Sequence, residues 1–420
     1  MNTTWGKGAA LLIALVLIGS ACGSDDGGGD DTGEESTPAE DTTTTTTEAE
    51  SASGVDPARA RAVVEALADD ALEGRDNQTP GSEAAQAYLV EQLAEFTEPI
   101  DGDPLDGYGH TFPVGTNLVG LIPGGELADE YVVIGAHYDH LGSDCPTDTP
   151  GDDICNGAAD NAAGVATVLE VGRSLAGGEE PPRRSIIVGL WDAEEDGLLG
   201  AEAYVADPAV PLEDTVAYLN WDIQGANLSP ALADVTVMVG AETGGPNLQA
   251  AAATATEASG LETLALSLLF GQGRSDHAVF ADAGVPIVFF TDANTPCYHT
   301  SQDDVTNLDF DKLGQQMLTA EALAQVMAAT DEVPEYDPTA PPATYEDAVS
   351  MLEVVSSAEE DFDLFDADAQ AAAEQFLIDL NTMVDAGEPA FDDAAVSTLL
   401  GGSVEVVEAL STGTCDGFLS

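Results

Sequence analysis

Positive charge is what this chain lacks. Nine lysines and arginines face 78 aspartates and glutamates in 420 residues, a formal net charge of −69. The deficit is not confined to one end, because residues 57–420 keep 67 of the acids and only eight of the bases. A body that acidic repels nucleic acid and anionic membrane, so neither is expected as a direct partner. Such a charge fits solubility in salty or divalent-rich surroundings, where counterions screen self-repulsion. It says nothing of catalysis. Cysteine is sparse as well: five residues and no Cys-x-x-Cys pair, which weakens any reading of thiolate zinc ligation. Aromatic residues reach only 6%, yet a hydrophobic content of 44% allows a sizeable core and excludes wholesale disorder. No internal repeat is visible.

The N-terminus has the layout of a secretory signal: Lys7, an apolar run from Ala9 to Ile18, then small residues up to Cys22. That run is too short and wrongly flanked for a spanning helix. Small residues ending in cysteine resemble the bacterial lipoprotein processing site, although Gly19 stands where an aliphatic residue is usual. The resemblance implies a signal peptide over 1–21 and a lipid on Cys22. The protein is then expected on the outer face of the cell membrane, held only by that lipid, or else freely secreted. Residues 22–54 contain no Val, Leu or Ile and include six threonines at 42–47. They cannot pack a core, so a solvated tether is expected. The remaining four cysteines are even in number, which in an exported protein points to disulfides. Of three possible pairings, Cys145–Cys155 with Cys297–Cys415 is favoured, the first closing a short loop rich in Asp, Pro and Gly.

From Asp56 onward the apolar pattern alternates. Asp56-Pro57 caps a helical run to about Leu72, and Ser82 begins another that runs to Phe96. Apolar, largely β-branched runs at 117–124, 131–140, 185–191, 216–225, 235–240 and 285–292 read as strands, with helical stretches such as 161–176 between them. That is the pattern of an α/β fold: a mixed, mainly parallel central sheet with helices on both faces. After about Pro334 the pattern is helix only. A folded domain is therefore expected over 55–335, followed by an all-helical C-terminal extension over 336–420.

In open α/β sheets, ligands gather at the carboxyl ends of strands, and the polar clusters of this chain sit there. His137 and Asp139 lie at i, i+2 in GAHYDHLG, on one side of an extended segment. Asp160 and Asn161 open a helix; Glu194 and Glu195 follow the run Ile186–Trp191; Asp222 follows the next strand; Tyr298 and His299 follow the last. Taken singly, each reads as a helix cap, a satisfied surface group or a solvated turn. Together, two imidazoles and three carboxylates at successive strand ends are what a two-metal hydrolase needs. These donors suit zinc, and a shared carboxylate can hold two ions about 3.5–4 Å apart.

The ordered blocks HYDHLG, GAADNAAGVA, EEDGLLGAEAY, NWDIQG, RSDHAVFADAGVP and YHTSQDD resemble the secreted bacterial di-zinc aminopeptidases. LEGR at 72–75 and TPGS at 79–82 resemble that family's early segment, so the likeness spans roughly residues 70–325. It implies a zinc-exopeptidase fold, two Zn²⁺ ions and peptide substrates cut at their N-terminus. Residue by residue, it makes His137 and Asp222 ligands of one zinc, Glu195 and His299 ligands of the other, and Asp160 the bridge. Asp139 would orient His137, Glu194 would be the general base, and Tyr298 would hydrogen-bond the oxyanion. His140 is expected near the site mouth or in a structural bond. Ser275, Asp276 and His277 would support the ligands, and Arg274 would meet a peptide carboxylate or pair with an acid. Trp191 and Trp221 are expected to pack the core, and the long loop carrying Cys145 and Cys155 to roof the cleft. A carboxypeptidase or dipeptidase on the same scaffold stays open, because the motifs do not encode which terminus must be free. A non-catalytic binding protein would be expected to have lost a ligand or the base, and none is missing. A monomer is expected.

Overall fold

The computed structural model describes residues 54–100, 104–147, 151–410 and 415. The expected signal peptide, Cys22 and nearly all of the tether lie outside the described residues. Among the described residues eleven strands follow one another: β1 (Glu98–Pro99), β2 (Gly109–Phe112), β3 (Gly115–Ile122), β4 (Leu127–His137), β5 (Gly142–Ser143), β6 (Ile154–Cys155), β7 (Arg184–Trp191), β8 (Thr215–Trp221), β9 (Val235–Val239), β10 (Glu262–Leu266) and β11 (Ile287–Thr291). β7, β4, β8 and β11 run parallel and form the middle of the main sheet, and β3 flanks β7 antiparallel. On the other side β9 lies antiparallel to β11 and carries β10 parallel to itself, while β1 and β2 both pair with β3. β5 and β6 make a separate two-stranded ribbon joined by the Cys145–Cys155 disulfide.

The described residues form ten α-helices: α1 (Pro57–Leu67), α2 (Pro80–Leu93), α3 (Gly164–Ala176), α4 (Leu199–Ala206), α5 (Gly245–Thr256), α6 (His277–Asp282), α7 (Phe310–Ala329), α8 (Tyr345–Ser357), α9 (Ala367–Ala386) and α10 (Asp393–Leu410). Alternate residues of the central strands feed two cores. Val132, Ile134, Ile186 and Val188 pack with α1, α3 and α7, whereas Val133, Ile187, Tyr218 and Phe289 pack with Tyr204 of α4 and Phe280 of α6. Covering on both faces is why these strands read as near-continuous apolar runs.

Several boundaries differ from the sequence reading, each for a local reason. α1 stops at Leu67, and Asp69 caps a separate short turn by accepting from the Ala71 N–H. β8 stops at Trp221 because Ile223 turns the chain with φ 59°. α3 begins only at Gly164, and Asp160 keeps an extended conformation with φ −111° and ψ 89°. β10 was not anticipated, since an edge strand with alternating exposure offers no continuous apolar run.

The extension consists of α8, α9 and α10 around Ala348, Phe376, Leu380 and Leu399. It is fastened to the rest of the body chemically as well as by packing. Asp347 of α8 accepts from both the N–H and the hydroxyl of Ser267 at 3.0 and 2.7 Å. Cys297 and Cys415 form the second disulfide, so both favoured pairings are present. Among the described residues no helix is long and apolar enough to cross a membrane.

Candidate metal centre

The carboxyl ends of the four parallel strands deliver the charged side chains to one place. β4 ends on His137, whose Nε2 lies 3.2 Å from Asp160 Oδ1 and 3.2 Å from Asp222 Oδ1. The other oxygen of Asp160 lies 3.3 Å from Nε2 of His299, which in turn is 3.2 Å from Glu195 Oε2. Asp160 therefore presents one oxygen to each histidine. Its backbone is held by Asp303, whose carboxylate accepts from the N–H groups of Ala159 and Asp160 at 2.7 and 3.0 Å. Asp303 stands in the quoted block YHTSQDD, but nothing in the sequence distinguished it from the neighbouring Asp304.

Asp139 does more than face Nδ1 of His137 at 3.5 Å. Its two oxygens also accept from the N–H groups of Glu194 and Glu195 at 3.1 and 3.3 Å, fixing the turn that follows β7. His140 is buried rather than at a mouth, and its Nδ1 lies 2.7 Å from Glu195 Oε1. Two groups of donor atoms converge within 4.8 Å of one another: His137 with Glu194 and Asp222, and His140 with Asp160 and Glu195.

A buried hydrogen-bond line runs beneath Asp222. Trp191 Nε1 donates to Tyr218 Oη at 2.8 Å, the Tyr218 hydroxyl donates to Asn220 Oδ1 at 2.6 Å, and Asn220 Nδ2 donates to Ser275 Oγ at 2.7 Å. The line ends beside Asp222, where the Ser275 hydroxyl favours the charged carboxylate against its burial. Residues 218, 220 and 222 can share it because alternate strand residues point the same way. Trp191 packs the core as expected, and it also opens this line. Room for its indole comes from Gly135 and Gly189, paired across β4 and β7, where an added Cβ would press on the ring. The LEGR segment also finds its reason. Arg75 is fully buried and donates to the carbonyls of Tyr138, Leu67 and Gly157, pinning the segments on either side of the site. Burial lowers its pKa to about 10, so it stays cationic at neutral pH beneath an acidic cluster.

The adjacent glutamates are pushed in opposite directions. Burial drives the Glu194 carboxyl well above its usual range, against the pull of His137. Burial and Asp160 push Glu195 up too, but His140 and His299 outweigh them and bring it to about 2. Burial pulls the His299 imidazole down, yet Asp160 and Glu195 raise it to about 10, and His137 is likewise raised by Asp222 and Glu194 against its burial. The cluster thus demands positive charge. The donor set fits zinc: imidazole and carboxylate atoms converge, and Nε2 of His299 is buried beside two carboxylates without a well-aligned hydrogen bond.

Asp160, Glu194, Asp222 and Tyr298 face one cavity of about 70 Å³. The disulfide loop does not roof it: among the described residues none of 141–157 lines this cavity, and Pro146 instead accepts from the Ser301 N–H beyond His299. Of the RSDH block, Ser275 alone joins a hydrogen-bond line beneath the site, through Asn220. Asp276 and His277 are buried with no hydrogen-bond partner for their side chains among the described residues, and His277 stacks on Phe289 at 4.2 Å.

Residues 117–324 match the pattern of the family described as peptidase family M28. "Leupeptin-inactivating enzyme 1" of Streptomyces exfoliatus is 30% identical over 217 residues, 46% of this chain and 44% of that protein. "Probable glutamate carboxypeptidase LAMP1" of Arabidopsis thaliana is 30% identical over 224 residues, 50% of this chain and 30% of that protein. The chain thus spans less than half the length of these curated relatives. Among solved structures, a zinc aminopeptidase from Bacillus subtilis superposes with a TM-score of 0.52 at 16% identity, covering 67% of this chain and 98% of that one. That likeness is one of fold.

Proposed function

We propose that this chain, a member of peptidase family M28 through residues 117–324, is an exported di-zinc aminopeptidase that removes N-terminal residues from peptides. The observation that carries the reading is Asp160, with one oxygen toward His137 and the other toward His299. His137 and Asp222 would hold one ion, Glu195 and His299 the other, with Asp160 shared. His140, hydrogen-bonded to Glu195, would orient that carboxylate. Bound there, zinc would polarise a carbonyl and lower the pKa of a water.

The chain's own groups supply the rest. Glu194, its backbone fixed by Asp139, stands at the cavity wall as the base; it takes the water's proton and returns it to the leaving amine. Burial keeps the Tyr298 hydroxyl protonated, so it can donate to the developing oxyanion. Carboxylates around the centre attract the substrate's free α-ammonium. Both disulfides support folding in an oxidising compartment, which is the ground for export.

The test is hydrolysis of alanine p-nitroanilide by the full chain, beside its N-acetylated form. Cleavage of the free amine alone, abolished by a chelator and restored by zinc, is the expected result. Zinc analysis should give two ions per chain. The carboxypeptidase named among the relatives marks the competing reading: cleavage of an N-blocked dipeptide with a free carboxylate, and none of the free-amine substrate, would favour it.

A further inference from the structure

The cavity over Glu194 is closed partly by the body and partly by the extension. Its apolar wall consists of Ile223, Phe270, Phe289 and Val407, and Val407 belongs to α10. Phe270 packs against both the core under the sheet and the core of the extension, so one ring joins the two. α10 cannot drift freely from this position. Cys415, just beyond it, is bonded to Cys297, the residue before Tyr298, and α8 is tied to Ser267 two residues before Leu269.

Size follows from volume. A water-sized sphere occupies about 10–15 Å³ on this measure, so a cavity of about 70 Å³ holds roughly five. The scissile amide must share that space, which leaves room for a side chain of one to three carbons. Charge is poorly served there, because burying an unpaired charged end against aromatic and aliphatic walls is costly. Arg274 stands at the rim, exposed, with its guanidinium 3.9 Å from Glu408 of α10.

We propose that the C-terminal extension is the specificity wall of the site: Val407 and Phe270 restrict the N-terminal substrate residue to a small aliphatic one, alanine to valine. This rests on the aminopeptidase reading above. Nothing in the sequence places residue 407 near residue 194, and the family match ends before the extension begins.

The experiment uses the full-length, zinc-loaded chain with alanine, valine, leucine, phenylalanine and glutamate p-nitroanilides, as the wild type and as Val407→Ala and Val407→Phe. In the wild type, kcat/KM for alanine should exceed that for phenylalanine by about tenfold or more, the range a pocket wall supplies. Val407→Ala should shrink that ratio severalfold, and Val407→Phe should lower valine relative to alanine. A second readout is binding of L-alaninol against L-phenylalaninol by calorimetry, which needs no turnover. An alanine-to-phenylalanine ratio near one, ratios unmoved by both variants, or glutamate as the best substrate would overturn the proposal. Absence of all turnover alongside size-selective amino-alcohol binding relaxed by Val407→Ala would overturn the reaction and uphold the wall. Binding with no size selection would sink the wall itself.

Discussion

Glu194 and Glu195 share a peptide bond and meet opposite surroundings, one among carboxylates and apolar walls, the other between His140 and His299. Titratable neighbours driven apart in this way divide an acid–base task between them. Glu194→Gln should therefore lower kcat by about 10²–10⁴ while zinc content stays at the wild-type value; loss of metal in that variant would move Glu194 into the ligand set. The two histidines near Glu195 can be told apart by the same assay. His299→Ala should reduce bound zinc toward one ion per chain, whereas His140→Ala should weaken binding without removing a site. His277 makes a separate statement about acid stability. Burial lowers its pKa to about 3, so the folded state holds it neutral while the unfolded chain protonates near its usual 6.5. The unfolded state then binds more protons, and stability falls as pH drops from about 6.5 toward 3. At roughly 1.4 kcal/mol per unit, the loss by pH 4.5 is about 3 kcal/mol. Urea unfolding at pH 7 and 4.5 should show His277→Leu losing that much less than the wild type.

Strand β8 carries two residues of the line that reaches Asp222, Tyr218 and Asn220, and Trp191 of β7 and Ser275 supply its ends. Ser275→Ala should cost about 10–100-fold in zinc affinity, as the loss of a group orienting a ligand does elsewhere. Competition with a fluorescent chelator would measure it, and an unchanged affinity would leave the line as packing alone. Gly189→Ala should act from further away, by displacing the Trp191 indole, and should lower thermal stability along with zinc affinity. The central strands, the main helices and the blocks that meet at the candidate metal centre were legible in the sequence, because strands buried on both faces give unbroken apolar runs and polar side chains cluster at their ends. The line through Tyr218, Asn220 and Ser275 was not, since hydroxyl and amide side chains carry no periodic signal and two of the partners lie 55 residues apart. Arg75 stands out in the sequence only as part of LEGR, and its bonds to distant carbonyls carry no sequence signal. β10 escaped for the reason that made β4 obvious: it is half exposed. Val407 escaped because one valine in an amphipathic helix resembles every other.

Across the whole molecule, each of the eight bases in residues 57–420 is already engaged. Arg59, Arg61, Arg173, Arg183, Arg184, Arg274 and Lys312 pair with carboxylates, and Arg75 with carbonyls. The excess acids are left to solvent cations. Raising sodium chloride from about 0.05 to 1 M, which shortens the screening length to about 3 Å, should therefore raise the thermal midpoint by several degrees; a flat response would mean that the surface charge is not a source of strain. The bond between Cys297 and Cys415 bears on a different hazard. It closes a ring of backbone with a sequence separation of 118 residues. An endoprotease that cuts once within that ring changes the number of chain ends but not the number of molecules. A nicked protein would run as one band without reductant and as two with it, and until reduced it would keep α10 in reach of its pocket.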